Sequence, residues 1–250
     1  MDEGGDTNVD VCSLTSKELR KFKKHQRKLE RRALIKPTPN VNASRSSQVS
    51  EKKIEMDKQF YYFICIIMVL ICSFNCNGLK NVNNFQNFVS VLYDKRTSFA
   101  LLQETFWDKS YVDVIKNMYE GKIYECNGYN SRQGVAIMVA NSVKDKTKLV
   151  YKDDEGRFIH VSYETGGQIF NFVSVYAPNN CIERARYFKF VNSYIENLQN
   201  VIIGGDFNTT LSNLDKGGKS KHSIDEAYRE LNKTICNCNI YDVWRARNEC

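Results

Sequence analysis

The chain has no Cys-x-x-Cys pair, although it contains nine cysteines among its 250 residues. Cys236 and Cys238 are separated by a single residue, and no histidine follows them at zinc-finger spacing, so the sequence excludes the common zinc motifs. An odd number of cysteines without a secretory framework indicates reduced thiols rather than a disulfide scaffold. We therefore expect a nuclear or cytoplasmic protein.

A convincing membrane span is also missing. Residues 60–74 carry no charge, but these fifteen residues are fewer than the roughly 20 apolar residues that a spanning helix needs. Lysines at 52, 53 and 58 would suit the cytoplasmic flank of a membrane anchor. Two interpretations stay open: the second half of the stretch is the first strand of a sheet, which we favour, or residues 60–74 anchor the chain in a membrane.

Excess negative charge is absent as well, since the net charge is +7 at pH 7. Residues 1–58 hold 14 Lys and Arg against 9 Asp and Glu. Thr15 and Glu18 form a capping box, which predicts a helix over residues 16–35. This helix either contacts the phosphates of nucleic acid or is a solvated basic helix. We predict that residues 1–59 are a basic, largely disordered segment.

Four apolar runs each end in polar residues that suit metal or phosphate chemistry. Short apolar runs bounded in this way predict buried strands. Side chains two positions apart lie on the same face of a strand, so Asp206 and Asn208 are expected to reach one point in space. The runs and the residues that follow them are 68–74 with Asn75-Cys76-Asn77-Gly78, 98–102 with Gln103-Glu104-Thr105, 169–175 with Tyr176-Ala177-Pro178-Asn179, and 201–203 with Gly204-Gly205-Asp206-Phe207-Asn208.

Helical spacing and turn signals complete an α/β pattern. Ser223 and Glu226 predict a second capping box. The apolar faces predicted for three helices are Val82, Phe85, Phe88, Val89 and Leu92; Ile182, Ala185, Phe188, Val191, Ile195 and Leu198; and Ile224, Ala227, Leu231 and Ile235. Further strands are predicted at 134–140, 157–164 and 168–176. Strands interleaved with helices indicate sheets with helices packed outside.

In this order, the four motifs resemble those of the endonuclease/exonuclease/phosphatase superfamily of Mg-dependent phosphoesterases. The resemblance is strongest to the endonuclease domain of LINE-type (non-LTR) retrotransposons, with apurinic endonucleases next. It extends from about residue 68 to the end, and it includes 154–157 and 242–245. It implies an α/β (α+β) fold, a two-sheet β-sandwich flanked by helices, over a domain at 68–250.

The same resemblance implies a site for Mg²⁺, with Mn²⁺ as an alternative, acting on the backbone of DNA. Mg²⁺ prefers oxygen ligands, and one or two carboxylates suffice because the ion keeps several waters. Glu104 is implied as the metal ligand, with Asn75 as a second ligand or an orienting group. Asp206 is implied to align or deprotonate the attacking water. The residues implied to contact phosphate or DNA are Tyr176, Asn208, Asn77, Asn179 and Arg157.

The superfamily's C-terminal Ser-Asp-His motif has no counterpart in the sequence. His25, His160 and His222 are its only histidines, and none has an Asp-His context. We therefore expect a domain that is incomplete at the C-terminus, without its closing strands and catalytic histidine. Two alternatives to an active endonuclease stay open. One is an inactive remnant that binds nucleic acid non-specifically, and the other is a lipid or inositol phosphodiesterase of the same superfamily.

Overall fold

The computed structural model describes residues 69–129, 132–215, 222–243 and 246. The predicted helix over 16–35, the basic segment 1–59 and the first part of the apolar stretch 60–74 lie outside these residues, while the rest of that stretch belongs to the first strand. None of the helices in the described ranges is long and apolar enough to cross a membrane.

Two four-stranded sheets stack face to face. The first has the order β1-β2-β4-β3 and contains β1 (Leu70–Asn75), β2 (Thr97–Gln103), β3 (Lys122–Cys126) and β4 (Val135–Val139). The second has the order β5-β6-β7-β8 and contains β5 (Thr147–Lys152), β6 (Phe158–Thr165), β7 (Gln168–Tyr176) and β8 (Val201–Asp206). The pairs β1–β2 and β7–β8 are parallel, and the other pairs are antiparallel.

Helices cover the outer faces of the sandwich. They are α1 (Val82–Asp94), α2 (Lys109–Met118), α3 (Cys181–Ile195) and α4 (Glu226–Asn237). Buried side chains from β2, β4, β6 and β7 fill the space between the sheets. Residues of α1 and α2 pack on the first sheet, and those of α3 and α4 lie outside the second. The predicted fold class, a two-sheet sandwich flanked by helices, is therefore confirmed.

The helices bury most of the apolar faces predicted for them, but their first turns differ. Ile182 was expected to face inward and is 61% exposed. It follows the N-cap Asn180, whose side chain accepts hydrogen bonds from the first amides of α3. Val82 at the start of α1 is likewise exposed. Helical periodicity therefore predicted the middle of each helix better than its first turn.

The predicted capping box of α4 is wrong. Asp225, not Ser223, caps this helix, and its Oδ1 accepts a hydrogen bond of 2.8 Å from the backbone N–H of Tyr228. Glu226 is therefore the first helical residue, and Ile224 precedes the helix and is 63% exposed. Asp and Ser cap helices equally well, so residue type alone does not distinguish Asp225 from Ser223 as the cap of α4.

Two glycines allow β8 to approach its neighbours closely. A Cβ on Gly204 would lie 3.2 Å from Leu101 Cδ2 and 3.3 Å from Ser73 Cβ, both in the opposite sheet. A Cβ on Gly205 would collide with the backbone carbonyl of Val175 in the adjacent strand. The glycines therefore bring the end of β8 against both sheets.

We expect Gly205→Ala to destabilise the domain by about 2 kcal/mol, because overpacking typically costs about 1–3 kcal/mol and a backbone carbonyl cannot turn aside. That loss corresponds to roughly 4–8 °C in the melting temperature of a domain of this size. Thermal unfolding followed by circular dichroism measures it. Gly204→Ala is the matched control with the smaller expected loss, because its neighbours are side chains. Equal melting temperatures for the two variants would contradict the prediction.

Candidate active site

The ends of three strands, two from the first sheet and one from the second, bring acidic and amide side chains together at one edge of the sandwich. Asn75 ends β1, Glu104 directly follows β2, and Asp206 ends β8. Asn75 Nδ2 donates to Glu104 Oε1 at 3.1 Å and to Asp206 Oδ2 at 3.0 Å. Two carboxylates from different sheets therefore converge on a single amide nitrogen. The three residues assigned to the metal and the water from the sequence form one cluster.

The remaining oxygens of Asn75 and Asp206 fix the turns that follow their strands. Asn75 Oδ1 accepts from the backbone N–H of Asn77, and Asp206 Oδ1 accepts from that of Asn208, both at 3.0 Å. The amide oxygen of Asn75 is thus engaged within its own turn, while its nitrogen holds Glu104. Of the two roles considered for Asn75, this geometry favours orienting the carboxylates and not binding the metal.

The expectation that Asp206 and Asn208 share a strand face is wrong. Asn208 lies beyond β8 with φ at 47°, which is left-handed backbone, so the alternation of a strand does not extend to it. Its Nδ2 donates to the carbonyl of Ala177 at 2.8 Å. Asn208 therefore ties the loop after β7 to the end of β8. Asn77 has the same left-handed backbone after β1, with φ at 44°, and is exposed at the rim.

Glu104 also has left-handed backbone, with φ at 51°. This conformation is uncommon for residues other than glycine and asparagine, and it persists where the surroundings fix it. Here the carbonyl of Glu104 accepts from Gly78 N at 2.8 Å, and the next amide, that of Thr105, donates to the carbonyl of Gly134 at 3.1 Å. The strained turn directs the carboxylate of Glu104 toward Asn75.

Tyr176 and Arg157 line the cluster on the side of the second sheet. Burial, followed by the hydrogen bond to Glu104, raises the pKa of Tyr176 to about 12. The phenol therefore stays protonated near neutral pH and remains a hydrogen-bond donor. The guanidinium of Arg157 lies 5.3 Å from the centre of the Tyr176 ring, and its Nε is 3.6 Å from Glu155 Oε2. Arg157 is thus placed beside the site, although it is partly neutralised by Glu155.

A buried polar layer beneath the carboxylates was not predicted from the sequence. Gln103 Nε2 donates at 3.0 Å to Ser174 Oγ in the opposite sheet, and Ser174 Oγ donates back to the carbonyl of Leu102 at 3.1 Å. The side chain of Ser73 adds a longer bond of 3.4 Å to Gln103. The only indication of this layer in the sequence is that these polar residues lie near the ends of apolar runs. The layer ties β2 to β7 directly below Glu104.

The structure does not bring Asn179 or the histidines into this cluster by any hydrogen bond that it shows. Asn179 is exposed, and its backbone carbonyl accepts from Arg184 at 2.7 Å. His160 is buried against α3, where its two ring nitrogens contact Tyr194 and Asn171, and burial lowers its pKa. His222 contacts Thr210. His25 and the predicted motif residues at 244–245 lie outside the described residues.

The donor set fits a hard divalent cation. Within the described ranges, no group of three or more His, Cys, Asp or Glu side chains is placed to hold a metal. Glu104 and Asp206 nevertheless supply two carboxylates around one point, and an ion such as Mg²⁺ is bound in many enzymes by one or two carboxylates together with substrate phosphates. The cluster therefore suits an ion whose remaining ligands are supplied by the substrate.

Comparison with known proteins identifies the family. The endonuclease/exonuclease/phosphatase family matches residues 72–248. The chain belongs to this family. The family predicted from the four motifs is thus confirmed, and the match includes Asn75, Glu104 and Asp206 of the cluster.

Relatives of this endonuclease/exonuclease/phosphatase chain include a transposon protein. The "Transposon TX1 uncharacterized 149 kDa protein" of Xenopus laevis is 29% identical over 182 residues, which is 71% of this chain and 14% of that protein. The chain therefore spans a small part of its relative's length. The predicted resemblance to retrotransposon sequences agrees with this match.

Two solved AP endonucleases have the same fold. The AP endonuclease LMAP of Leishmania major superposes with a TM-score of 0.57 at 15% identity, covering 69% of this chain and 67% of that one. An AP endonuclease of Archaeoglobus fulgidus gives 0.52 at 18% identity, covering 67% and 70%. The endonuclease domain of TRAS1, a telomere-specific non-LTR retrotransposon, gives 0.49 at 15% identity, covering 65% and 69%.

Proposed function

We propose that this chain is a metal-dependent phosphodiesterase that nicks DNA, an endonuclease of the retroelement type. The observation that carries the proposal is the convergence of Glu104 and Asp206 on the amide nitrogen of Asn75. Membership of the endonuclease/exonuclease/phosphatase family supports a nuclease-type phosphodiesterase, and the transposon relative supports DNA as the substrate. We likewise propose a nuclear or cytoplasmic site of action.

Glu104 is the residue proposed to hold Mg²⁺ or Mn²⁺, with Asn75 keeping its carboxylate in place. When bound, such an ion supplies positive charge that polarises the phosphate and stabilises the transition state. The left-handed turn at Glu104 and its contact with Asn75 fix the carboxylate before substrate arrives. A preorganised group of this kind loses little energy to rearrangement during the reaction.

Asp206 is proposed to align the attacking water and to accept its proton. Its two oxygens are fixed by Asn75 and by the amide of Asn208, so the carboxylate has one defined orientation. Tyr176, protonated near neutral pH, can donate to a phosphate oxygen next to Glu104. Asn208 is proposed to orient the phosphate, and its contact with Ala177 places it at the junction of β8 and the loop after β7.

The rim is proposed to contact the DNA backbone through Arg157, Asn77 and Asn179. Asn77 and Asn179 are exposed, and Arg157 contacts the carbonyl and the ring of Tyr176. Contacts to phosphate position a protein on DNA without reading sequence, and they weaken as salt rises. Binding is therefore expected to be sensitive to salt and largely independent of sequence.

The test is nicking of supercoiled plasmid by the full chain. We expect slow conversion to relaxed circles with Mg²⁺ or Mn²⁺, because the sequence has no Ser-Asp-His motif and the loss of one charge-stabilising donor commonly costs about 10²–10³-fold in rate. No conversion is expected after removal of the metal with EDTA. Among the described residues neither histidine contacts the carboxylates, so a non-enzymatic DNA-binding protein is the main competitor. Salt-sensitive DNA binding without nicking in either metal would overturn the proposal in favour of that protein. Release of the inositol phosphate head group from phosphoinositides, with plasmid left intact, would instead indicate a lipid phosphodiesterase.

A further inference from the structure

The side chain of Arg184 is buried under the loop that follows β7. It lies in the first turn and a half of α3 and is 9% exposed. Its Nη1 donates to the carbonyls of Pro178 and Asn179 at 3.2 and 2.7 Å. Its Nη2 lies 3.4 Å from Oδ2 of Asp225, the residue that caps α4. One guanidinium thus joins the loop, α3 and the start of α4.

Every backbone carbonyl of the 177–179 loop accepts a hydrogen bond from a side chain. Asn208 donates to the carbonyl of Ala177, and Arg184 donates to those of Pro178 and Asn179. The amide of Ala177 in turn donates to the carbonyl of Asp206 at 2.8 Å. The loop therefore has one attachment to the end of β8 and another to the buried guanidinium. It leads directly from Tyr176 to the exposed Asn179.

We infer that Arg184 is a positioning residue, which sets Tyr176 against Asp206 by fixing the loop that follows Tyr176. This inference rests on the proposed nuclease function. The planar guanidinium can donate from Nη1 to two carbonyls while Nη2 faces Asp225, whereas a lysine ammonium is a point charge on a flexible stem. Displacing groups at a reacting centre by about 1 Å can cost about 10²-fold in rate, even when the altered residue lies outside the chemistry.

The main test compares Arg184→Met with Arg186→Met, a matched control on the exposed side of the same helix. Plasmid nicking with Mg²⁺ is measured at a temperature where both variants are folded by circular dichroism. We expect Arg184→Met to lower kcat by about 10–100-fold with KM for DNA nearly unchanged, because the misplaced groups act in the reaction. Arg184→Lys should recover only part of the loss. Unchanged kcat in Arg184→Met would overturn the inference.

Asp225→Asn separates the loop contacts of Arg184 from its ion pair. Asparagine caps helices as well as aspartate, so α4 keeps its start while the charge opposite Arg184 is removed. We expect kcat close to that of the unmodified chain. A loss as large as that of Arg184→Met would show that the pair with α4, and not the hold on the loop, is what matters.

A double-mutant cycle with Tyr176→Phe tests whether Arg184 acts through the loop. Substitutions that act through the same group are not additive. We expect Arg184→Met to cost much less in the Tyr176→Phe background than in the unmodified chain. Fully additive losses in kcat would indicate a general structural role for Arg184 and would overturn the inference.

Hydrogen exchange provides a measurement that needs no activity. The amide of Ala177 donates to Asp206, and those of Ile182 and Glu183 donate to the cap Asn180, so the peptide over 176–184 contains protected amides around the loop. We expect faster exchange in this peptide for Arg184→Met and none of this effect for Arg186→Met. If the unmodified chain fails to nick DNA, the proposed function fails, and exchange still decides whether Arg184 fixes the loop. Identical exchange would overturn the inference alone.

Discussion

Glu104→Gln is expected to lower Mg²⁺-dependent nicking by at least about 10³-fold while leaving the fold intact. A metal-bound carboxylate supports several kcal/mol of charge stabilisation, and each 1.4 kcal/mol corresponds to about tenfold in rate. Glutamine keeps the shape and can still accept the hydrogen bond from Asn75, but it carries no charge. The measurements are the nicking rate on supercoiled plasmid, Mg²⁺ binding by calorimetry and the melting temperature.

Glu164→Gln is the matched control, because Glu164 is an exposed residue near the end of β6, far along the strand from Arg157. It should nick at the unmodified rate. Weak Mg²⁺ binding and lost nicking in Glu104→Gln, with an unchanged melting temperature, would support the assignment. Nicking at the unmodified rate in Glu104→Gln would show that another residue holds the metal.

The sequence predicted the strand ends well because each strand is a short apolar run closed by polar residues. The prediction for Gln168–Tyr176 matches β7 at both ends, and that for 134–140 exceeds β4 by one residue on each side. Parallel pairing of β1 with β2 and of β7 with β8 then places Asn75, Glu104 and Asp206 at one edge. Local pattern and strand direction were sufficient to bring these residues together.

Backbone conformation within the turns could not be predicted in the same way. Asn77, Glu104 and Asn208 all have left-handed backbone, with φ between 44° and 51°. A strand rule continued through such a turn gives the wrong side-chain direction, which is why Asn208 contacts Ala177 and does not share a strand face with Asp206. The turns at Glu104 and Asn208 depend on hydrogen bonds to segments that are distant in sequence, Gly78 and Ala177, and a local rule does not include these.

Contacts between the sheets could not be predicted from the sequence for a related reason. Gln103 in β2 and Ser174 in β7 are 71 residues apart, yet Gln103 donates a hydrogen bond to Ser174, and Ser174 donates to the carbonyl of Leu102. Each alone is an ordinary polar residue near the end of an apolar run. Buried polar groups need partners, so their position indicates that a partner exists but not which residue supplies it.

Asp206→Asn is expected to keep DNA binding near the unmodified level while nicking falls by about 10²–10⁴-fold, the usual contribution of a general base. An asparagine at this position still offers an oxygen to the amide of Asn208 and therefore preserves the turn. The substitution also leaves Tyr176 and Arg157, the residues proposed to contact phosphate, unchanged. The measurements are DNA affinity by fluorescence anisotropy at fixed salt and the single-turnover nicking rate.

The substitution has one side effect that needs its own control. The new amide would present a donor to Asn75 Nδ2, so the hydrogen bond of 3.0 Å between Asn75 and Asp206 is lost together with the base. Asn75→Ala removes that hydrogen bond while keeping the carboxylate of Asp206. Because a positioning contact typically contributes about 10–100-fold, Asn75→Ala should be clearly less damaging than Asp206→Asn. Equal losses in both variants, or a parallel fall in DNA affinity, would show that Asp206 orders the site and does not accept the proton of the attacking water.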